Sequence, residues 1–382
     1  MLITDLTIGG LRAYRPDPTT VDLAPLTLVF GPNSAGKSSL LAVMPMLQQT
    51  AARPDVLNMS GDLVEGGTFR MAIHRHDESL PMTLGFGWRA PDGSRHAGSG
   101  VFRWDAQHRS GRRERMYVDN GELQSHVDGP RPWGGQEGAA VARQLAPEFY
   151  ETLSRVFFLG PMRARAERTT RVGQGWDDYV GPAGEHMAEL LYDRPDLVAE
   201  VNDWCDRMGL GYRVRMLSPR SHDIVVSAGD FAVLALEDVR HDPPVLVSSR
   251  AVGYGVGQLL PVITQSLIAE HAMVIVEQPE VHLHPRLQAA TGDLFIESVQ
   301  QKQNQVLVET HSEHLVLRIL RRVREGTFDP ADLAILYVDL HEDGAAFVRN
   351  LEVDAGGEIV DGWPGNFFDD RLGEVLPGLA NR

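Results

Sequence analysis

Gly31-Pro32-Asn33-Ser34-Ala35-Gly36-Lys37-Ser38 is a run whose residue types and spacing suit it to holding a chain of phosphates. Its glycines let main-chain N–H groups curl around β- and γ-phosphates, and a helix opening at its end adds a positive dipole. Lys37 offers a cation to the terminal phosphates, and Ser38 offers a hydroxyl to Mg²⁺. The expected ligands are therefore ATP and Mg²⁺, held by residues 31–38 together with Ser39.

Three later segments add groups that such a site needs. The stretch MVIVEQPEVHLHP (273–285) is an apolar run that ends in a carboxylate, Glu277. A strand of this kind places an acid at the metal, so Glu277 is expected to share Mg²⁺ with Ser38. Gln278 follows Glu277 directly, and Glu280 stands three residues beyond that acid. Upstream, VGYGVGQLL (252–260) is a glycine-rich turn opening a helix. Gly255 and Gly257 would let main chain approach a phosphate closely, with Gln258 beside them. Finally, ETHS (309–312) follows the apolar run QVLV and sets His311 where it can sense a γ-phosphate or an attacking water. Glu280, His282, His284, His311 and His314 can also be read as a metal cluster, the rival account of these side chains.

The elements that position these groups are legible in outline. LTLVF (26–30) is a buried strand leading into the loop, and SSLLAVMPMLQQ after it is a helix that Pro45 kinks. Residues 55–135 hold short, partly alternating runs (TFRMAIHR, MTLGFGWRA, VFRWDAQ and ERMYVDNGELQ) separated by turn signals at Pro91-Asp92-Gly93 and Asp119-Asn120-Gly121. They are expected to form an antiparallel β-rich insertion. Helices are expected over 139–154 and 183–208, with a buried strand at VFFL and a hairpin turning at Ala228-Gly229-Asp230. From 250 to 350 strands and helices alternate, which favours a largely parallel sheet. The expected organisation is an N-terminal lobe (1–54), the insertion (55–135), a C-terminal lobe (136–340) and a small C-terminal domain (341–382).

The 382 residues are 43% hydrophobic and 23% charged, ordinary for a globular α/β protein. No apolar run reaches the roughly eighteen residues that span a bilayer, and the N-terminus lacks a signal pattern. One cysteine, Cys205, excludes an internal disulfide. The expected compartment is the cytoplasm, without a membrane partner. A net charge of −16 opposes indiscriminate binding of nucleic acid. Two arginine groups, Arg112/Arg113/Arg115 and Arg318/Arg321/Arg322/Arg324, leave local DNA contact open, with a solvated face as the plainer reading.

GPNSAGKSSLL, VEQPEVHLHP and ETHSEHL together resemble the bacterial AAA-type ATPases related to RecF and to the OLD nucleases, which share an ABC-type head. FLGPMRA around Arg163, VGPAGEHMAELL (180–191) and VDGWPGNFFD (360–369) resemble one branch of that group, which carries a small C-terminal domain of unknown function. The resemblance covers most of the chain and is weakest over 55–135. It implies heads that form a homodimer or higher homo-oligomer, with ATP sandwiched between the P-loop of one and the Gly255–Gly257 turn of the other. It also implies work in anti-phage defence or DNA repair beside an effector, often a nuclease. Two departures stand out. OLD proteins continue into a Toprim nuclease domain after their ATPase motifs; none is expected here, so nuclease activity is not carried over. Where most ABC-type heads have Asp-Glu, this chain has Glu277-Gln278; the resemblance thus implies that Gln278 stands in the place of the proton acceptor, with Glu280 as the nearest substitute carboxylate. The expectation is a nucleotide-dependent switch for a partner; the alternatives are an ATP-locked scaffold and a metal-dependent nuclease.

Overall fold

The computed structural model describes residues 2–119, 147–164, 169–171, 173, 178–217 and 231–364. The centre is a six-stranded sheet in the order β15-β14-β3-β13-β12-β7. Its strands are β3 (Leu26–Phe30), β7 (Val156–Leu159), β12 (Met273–Glu277), β13 (Gln305–Glu309), β14 (Leu333–Leu340) and β15 (Ala346–Leu351). All neighbours are parallel except β14 and β15.

Period-two alternation explains why the strand sequences are continuously apolar. Leu26, Leu28, Phe30, Val274, Val276, Val306 and Val308 pack into one core, while Val29, Ile275 and Leu307 pack into another on the opposite face. The first core is covered by α6 (Pro195–Met208), α7 (Tyr254–Ile268), α8 (Pro285–Lys302) and α9 (Glu313–Arg324). Against the second lie α1 (Lys37–Leu41), α2 (Val43–Thr50) and an antiparallel sheet. Pro45 has no N–H for the Leu41 carbonyl, and the helix is interrupted at Ala42, one turn before the proline.

That antiparallel sheet alters the expected division of the chain. Its order is β2-β1-β4-β5-β6, with β1 (Leu2–Gly9), β2 (Thr19–Asp22), β4 (Met82–Arg89), β5 (Arg95–Asp105) and β6 (Ser110–Asp119). The strands read as an insertion extend a sheet that the N-terminus begins, so 55–119 is continuous with the first lobe. TFRMAIHR is not a strand. Thr68 caps a short helix, α3 (Phe69–Ala72), by accepting from the Met71 N–H, and a 3₁₀ turn follows at His74–His76.

Other expectations shift locally. The helix foreseen over 183–208 is two, α5 (Met187–Asp193) and α6, because Pro195 holds Arg194 outside the helical region. Of the helix foreseen over 139–154, α4 (Pro147–Ser154) is described and residues 139–146 lie outside the described residues. The Ala228-Gly229-Asp230 turn also lies outside them; β10 (Phe231–Asp238) pairs antiparallel with β9 (Tyr212–Leu217), β11 (Val245–Ser248) and the two-residue β8 (Thr170–Arg171). At the C-terminus, β15 belongs to the central sheet, so 341–351 is not a separate unit. Trp363 meets Phe30 edge-on at 5.8 Å, a core contact, while Phe367 and Phe368 lie outside the described residues. No described helix is long and apolar enough to cross a membrane.

Candidate nucleotide site

The parallel strands β3, β13 and β12 all end on one edge of the sheet, where open α/β sheets bind ligands. The P-loop leaves β3 at Gly31, whose φ is 146° and whose added Cβ would stand 2.0 Å from the Val338 carbonyl oxygen. Only glycine fits there. Gly36, at φ 109°, leads directly into α1. Lys37 is 4% exposed and donates from Nζ to the carbonyls of Gly31 (3.1 Å) and Pro32 (2.7 Å), which aims its cation into the loop. Burial lowers its pKa, and Glu309 opposes that shift. Ser39 is buried, and its Oγ accepts from Arg12 Nη1 at 3.4 Å.

The strand register then brings two acids to the P-loop. Glu277 and Glu309 are paired residues on adjacent strands, and Glu309 sits beside Val29 of β3. Ser38 Oγ donates to Glu309 Oε2 at 2.8 Å, which places a second acid at the P-loop hydroxyl. Hydroxyl and carboxylate oxygens are the hard donors Mg²⁺ prefers, so Ser38, Glu277 and Glu309 fit that ion. Arg12, Ser38 and Glu277 line a cleft of about 320 Å³ that continues between Met46, Gly66 and Met162. Glu309, Arg12 and Arg163 were not assigned from sequence. The signal for Glu309 was there: it ends an apolar run just as Glu277 does.

Glu277 is buried, and its pKa is pushed up to about 8, first by desolvation and then by Glu309. Burial raises Glu280 as well. A carboxyl whose folded pKa exceeds its unfolded value contributes stability at low pH that is lost as pH climbs through the folded value. The nucleotide-free protein should therefore lose on the order of a few kcal/mol between about pH 5 and 8. Urea midpoints across that range should flatten in Glu277→Gln. An unaltered slope in the variant would remove Glu277 from the account.

Gln278 follows with φ 45°, its N–H donating to the Glu309 carbonyl at 2.8 Å. Glu280 accepts from Thr310 Oγ1 (2.9 Å) and the His311 N–H (2.5 Å), so its carboxylate ties the β13 end to the β12 loop. His311 is exposed, with its pKa lowered by partial burial and by Lys37. His284 caps α8 by accepting the Arg286 N–H, and His282 stands edge-on to Tyr254 at 5.0 Å. Among the described residues, no three His, Cys, Asp or Glu side chains gather to hold a metal.

The Gly-rich turn does open a helix, α7, at Tyr254, but its glycines differ. A Cβ on Gly255 would meet the His282 carbonyl oxygen at 2.4 Å, whereas Gly257 faces open space. Gln258 is buried, its amide bound on both sides to the Arg163 main chain. The arginines of α9 are paired: Arg318 and Arg322 with Asp293, Arg321 with Glu325, and Arg324 with Glu358. Arg112 meets Asp55 and Asp105.

Residues 242–316 match the AAA ATPase domain family, a span that holds Gly255, Gly257, Glu277 and His311 but not the P-loop. Among solved structures, the chain is similar to an SMC head bound to the C-winged helix domain of ScpA. The TM-score is 0.58 at 12% identity, covering 92% of this chain and 98% of that one. It is also similar to the SMC head of Thermotoga maritima (TM-score 0.50, 13% identity, 92% and 100% covered). A third is the Pyrococcus furiosus Smc head with an extended coiled coil, bound to the C-terminal domain of ScpA (TM-score 0.50, 11% identity, 92% and 96% covered). No curated protein matches the chain. The chain thus has the fold of an SMC-type ABC ATPase head and, over residues 242–316, the sequence character of an AAA ATPase domain.

Proposed function

We propose that this chain binds ATP·Mg²⁺ at residues 31–39 and acts as a nucleotide-dependent switch for a partner effector, in anti-phage defence or DNA repair. The reading includes kinship with the RecF and OLD ATPases. The observation that carries it is the convergence of Lys37, Ser38, Glu277, Glu309 and His311 at the ends of three adjacent parallel strands. Lys37 supports the terminal phosphates; Ser38 and Glu277, with Glu309 beside them, hold the metal. The ion would neutralise phosphate charge. His311, whose pKa is lowered by partial burial and by the nearby Lys37, would serve the γ-phosphate side. Two of the similar SMC heads carry ScpA domains, which supports a head that docks a partner. A nuclease-like effector and DNA remain proposals of the same reading. Equilibrium binding of a fluorescent ATP analogue with and without Mg²⁺ tests it; no micromolar binding would sink it.

The second reading, an ATP-locked scaffold, draws on Gln278, which cannot accept a proton, and on Glu280, whose two oxygens each accept a hydrogen bond, from Thr310 Oγ1 and the His311 N–H. Steady-state phosphate release separates switch from lock.

Heads sandwiching ATP would bring the α7 start of one copy onto the phosphates of another. Gly257→Arg should abolish ATP-driven dimerisation in analytical ultracentrifugation while binding persists, because its side chain enters space that is open in the single head. Gly255→Ala should instead cost about 1–3 kcal/mol of stability through the His282 contact. An unchanged mass distribution for Gly257→Arg counts against the shared site.

A further inference from the structure

Arg163 lies where the end of β12 meets the start of α7. It follows β7, whose chain passes the C-terminal end of its parallel neighbour β12. The side chain is 2% exposed. Nη2 donates to the Glu277 carbonyl at 2.5 Å and Nη1 to the Gln278 carbonyl at 3.4 Å. The main chain of the same residue is gripped by Gln258: the Arg163 N–H donates to Oε1 at 3.2 Å, and Nε2 donates back to the Arg163 carbonyl at 2.7 Å. Gln258 belongs to α7, one residue after Gly257.

This arrangement is costly for a part that merely fills space. The guanidinium bonds main-chain carbonyls rather than a carboxylate, and its Nε has no partner. Burying such a charge is expensive, and an apolar side chain of similar volume would often stabilise a fold more. The arrangement does serve position. The Gln278 peptide is fixed on both sides, its N–H by the Glu309 carbonyl and its own carbonyl by Arg163, although its φ is 45°. A shift of the Glu277–Gln278 peptide would therefore pull on the guanidinium, and the same residue's main chain would pull on Gln258.

We infer that Arg163 is a positioning residue that couples the acid end of β12 to the glycine-rich start of α7, so that nucleotide at the P-loop sets the placement of the face through which α7 meets a second copy of this chain. The inference rests on the ATP·Mg²⁺ reading. It extends that reading by naming how occupancy leaves the site within one head, before any partner arrives.

Hydrogen–deuterium exchange over peptides spanning 252–262, with and without ATP·Mg²⁺, tests it on the full chain held monomeric by dilution. In the wild type, nucleotide should slow exchange at the start of α7 about tenfold. Arg163→Met keeps the volume and removes the fork; it should bind a fluorescent ATP analogue within about threefold of wild type while the slowing falls below about twofold. Arg163→Lys, with charge but no fork, should restore less than half of the response. Gln258→Leu leaves the guanidinium in place and breaks only the α7 grip, so it should lose the response as Arg163→Met does. It also carries the test if Arg163→Met does not fold. A wild-type-like response in Gln258→Leu, or in a folded Arg163→Met, overturns the coupling. Binding by the wild type without any change at α7 overturns it too and leaves the nucleotide site standing. Absence of binding by the wild type overturns both.

Discussion

Lys37→Ala should weaken binding of a fluorescent ATP analogue by about 30- to 4,000-fold, the range expected when one partner of a buried charge pair is truncated at a cost of about 2–5 kcal/mol. The side chain is buried, and Nζ already points at the carbonyls of Gly31 and Pro32, so phosphate entering the loop meets the cation without rearranging the stem. Truncation also removes the only side-chain donor seen on those two carbonyls among the described residues, so the loop itself could loosen. Lys37→Met separates the effects, since it keeps the buried stem and removes only the charge. Both variants should lose affinity together. Binding by Lys37→Met within about threefold of wild type, with an unaltered melting curve, would remove the P-loop assignment.

The reason this site was readable at Lys37 and less so elsewhere is geometric. Residues 31–38 are contiguous, and every group they offer acts from one local loop, so residue type and order suffice. Glu309 ends an apolar run as Glu277 does, but what brings it to Ser38 is the place of β13 between β3 and β12, an adjacency that no short window reveals. Arg163 was noted for its place in FLGPMRA, yet its bonds to Glu277, Gln278 and Gln258 depend on β7 lying at the edge beside β12. The antiparallel sheet shows the same limit. Its turns and alternation were visible, but the pairing of Leu6 with Phe86 joins distant segments and makes one sheet of what read as an insertion. For Gln258, proximity to Gly257 suggested a nucleotide contact, whereas its bonds to the Arg163 main chain could not be read from the local sequence.

Gln278 gives the second large effect. It sits directly after the Glu277 acid, where a carboxylate would take a proton from the attacking water. An amide can orient that water but cannot accept its proton. A positioned base contributes about 10²–10⁴ in rate, so the wild type should turn over slowly and hold ATP long. The structure narrows the substitute considered for this role. Both Glu280 oxygens accept hydrogen bonds, from Thr310 Oγ1 and the His311 N–H, which fix its carboxylate on the end of β13. Gln278→Glu changes only the side chain, since the main chain is held by Glu309 and Arg163 and both residue types carry the same cost at φ 45°. A new charge beside Glu277 and Glu309 is repelled, which trims the gain to about 10–100-fold in phosphate release. The gain should vanish when Lys37→Met is added. Glu280→Gln should slow the residual rate by freeing the His311 segment while leaving the pH profile of that rate unchanged; loss of an acid limb from the profile would make Glu280 the base after all. Fast wild-type turnover that survives Glu280→Gln would show that no base is missing at Gln278.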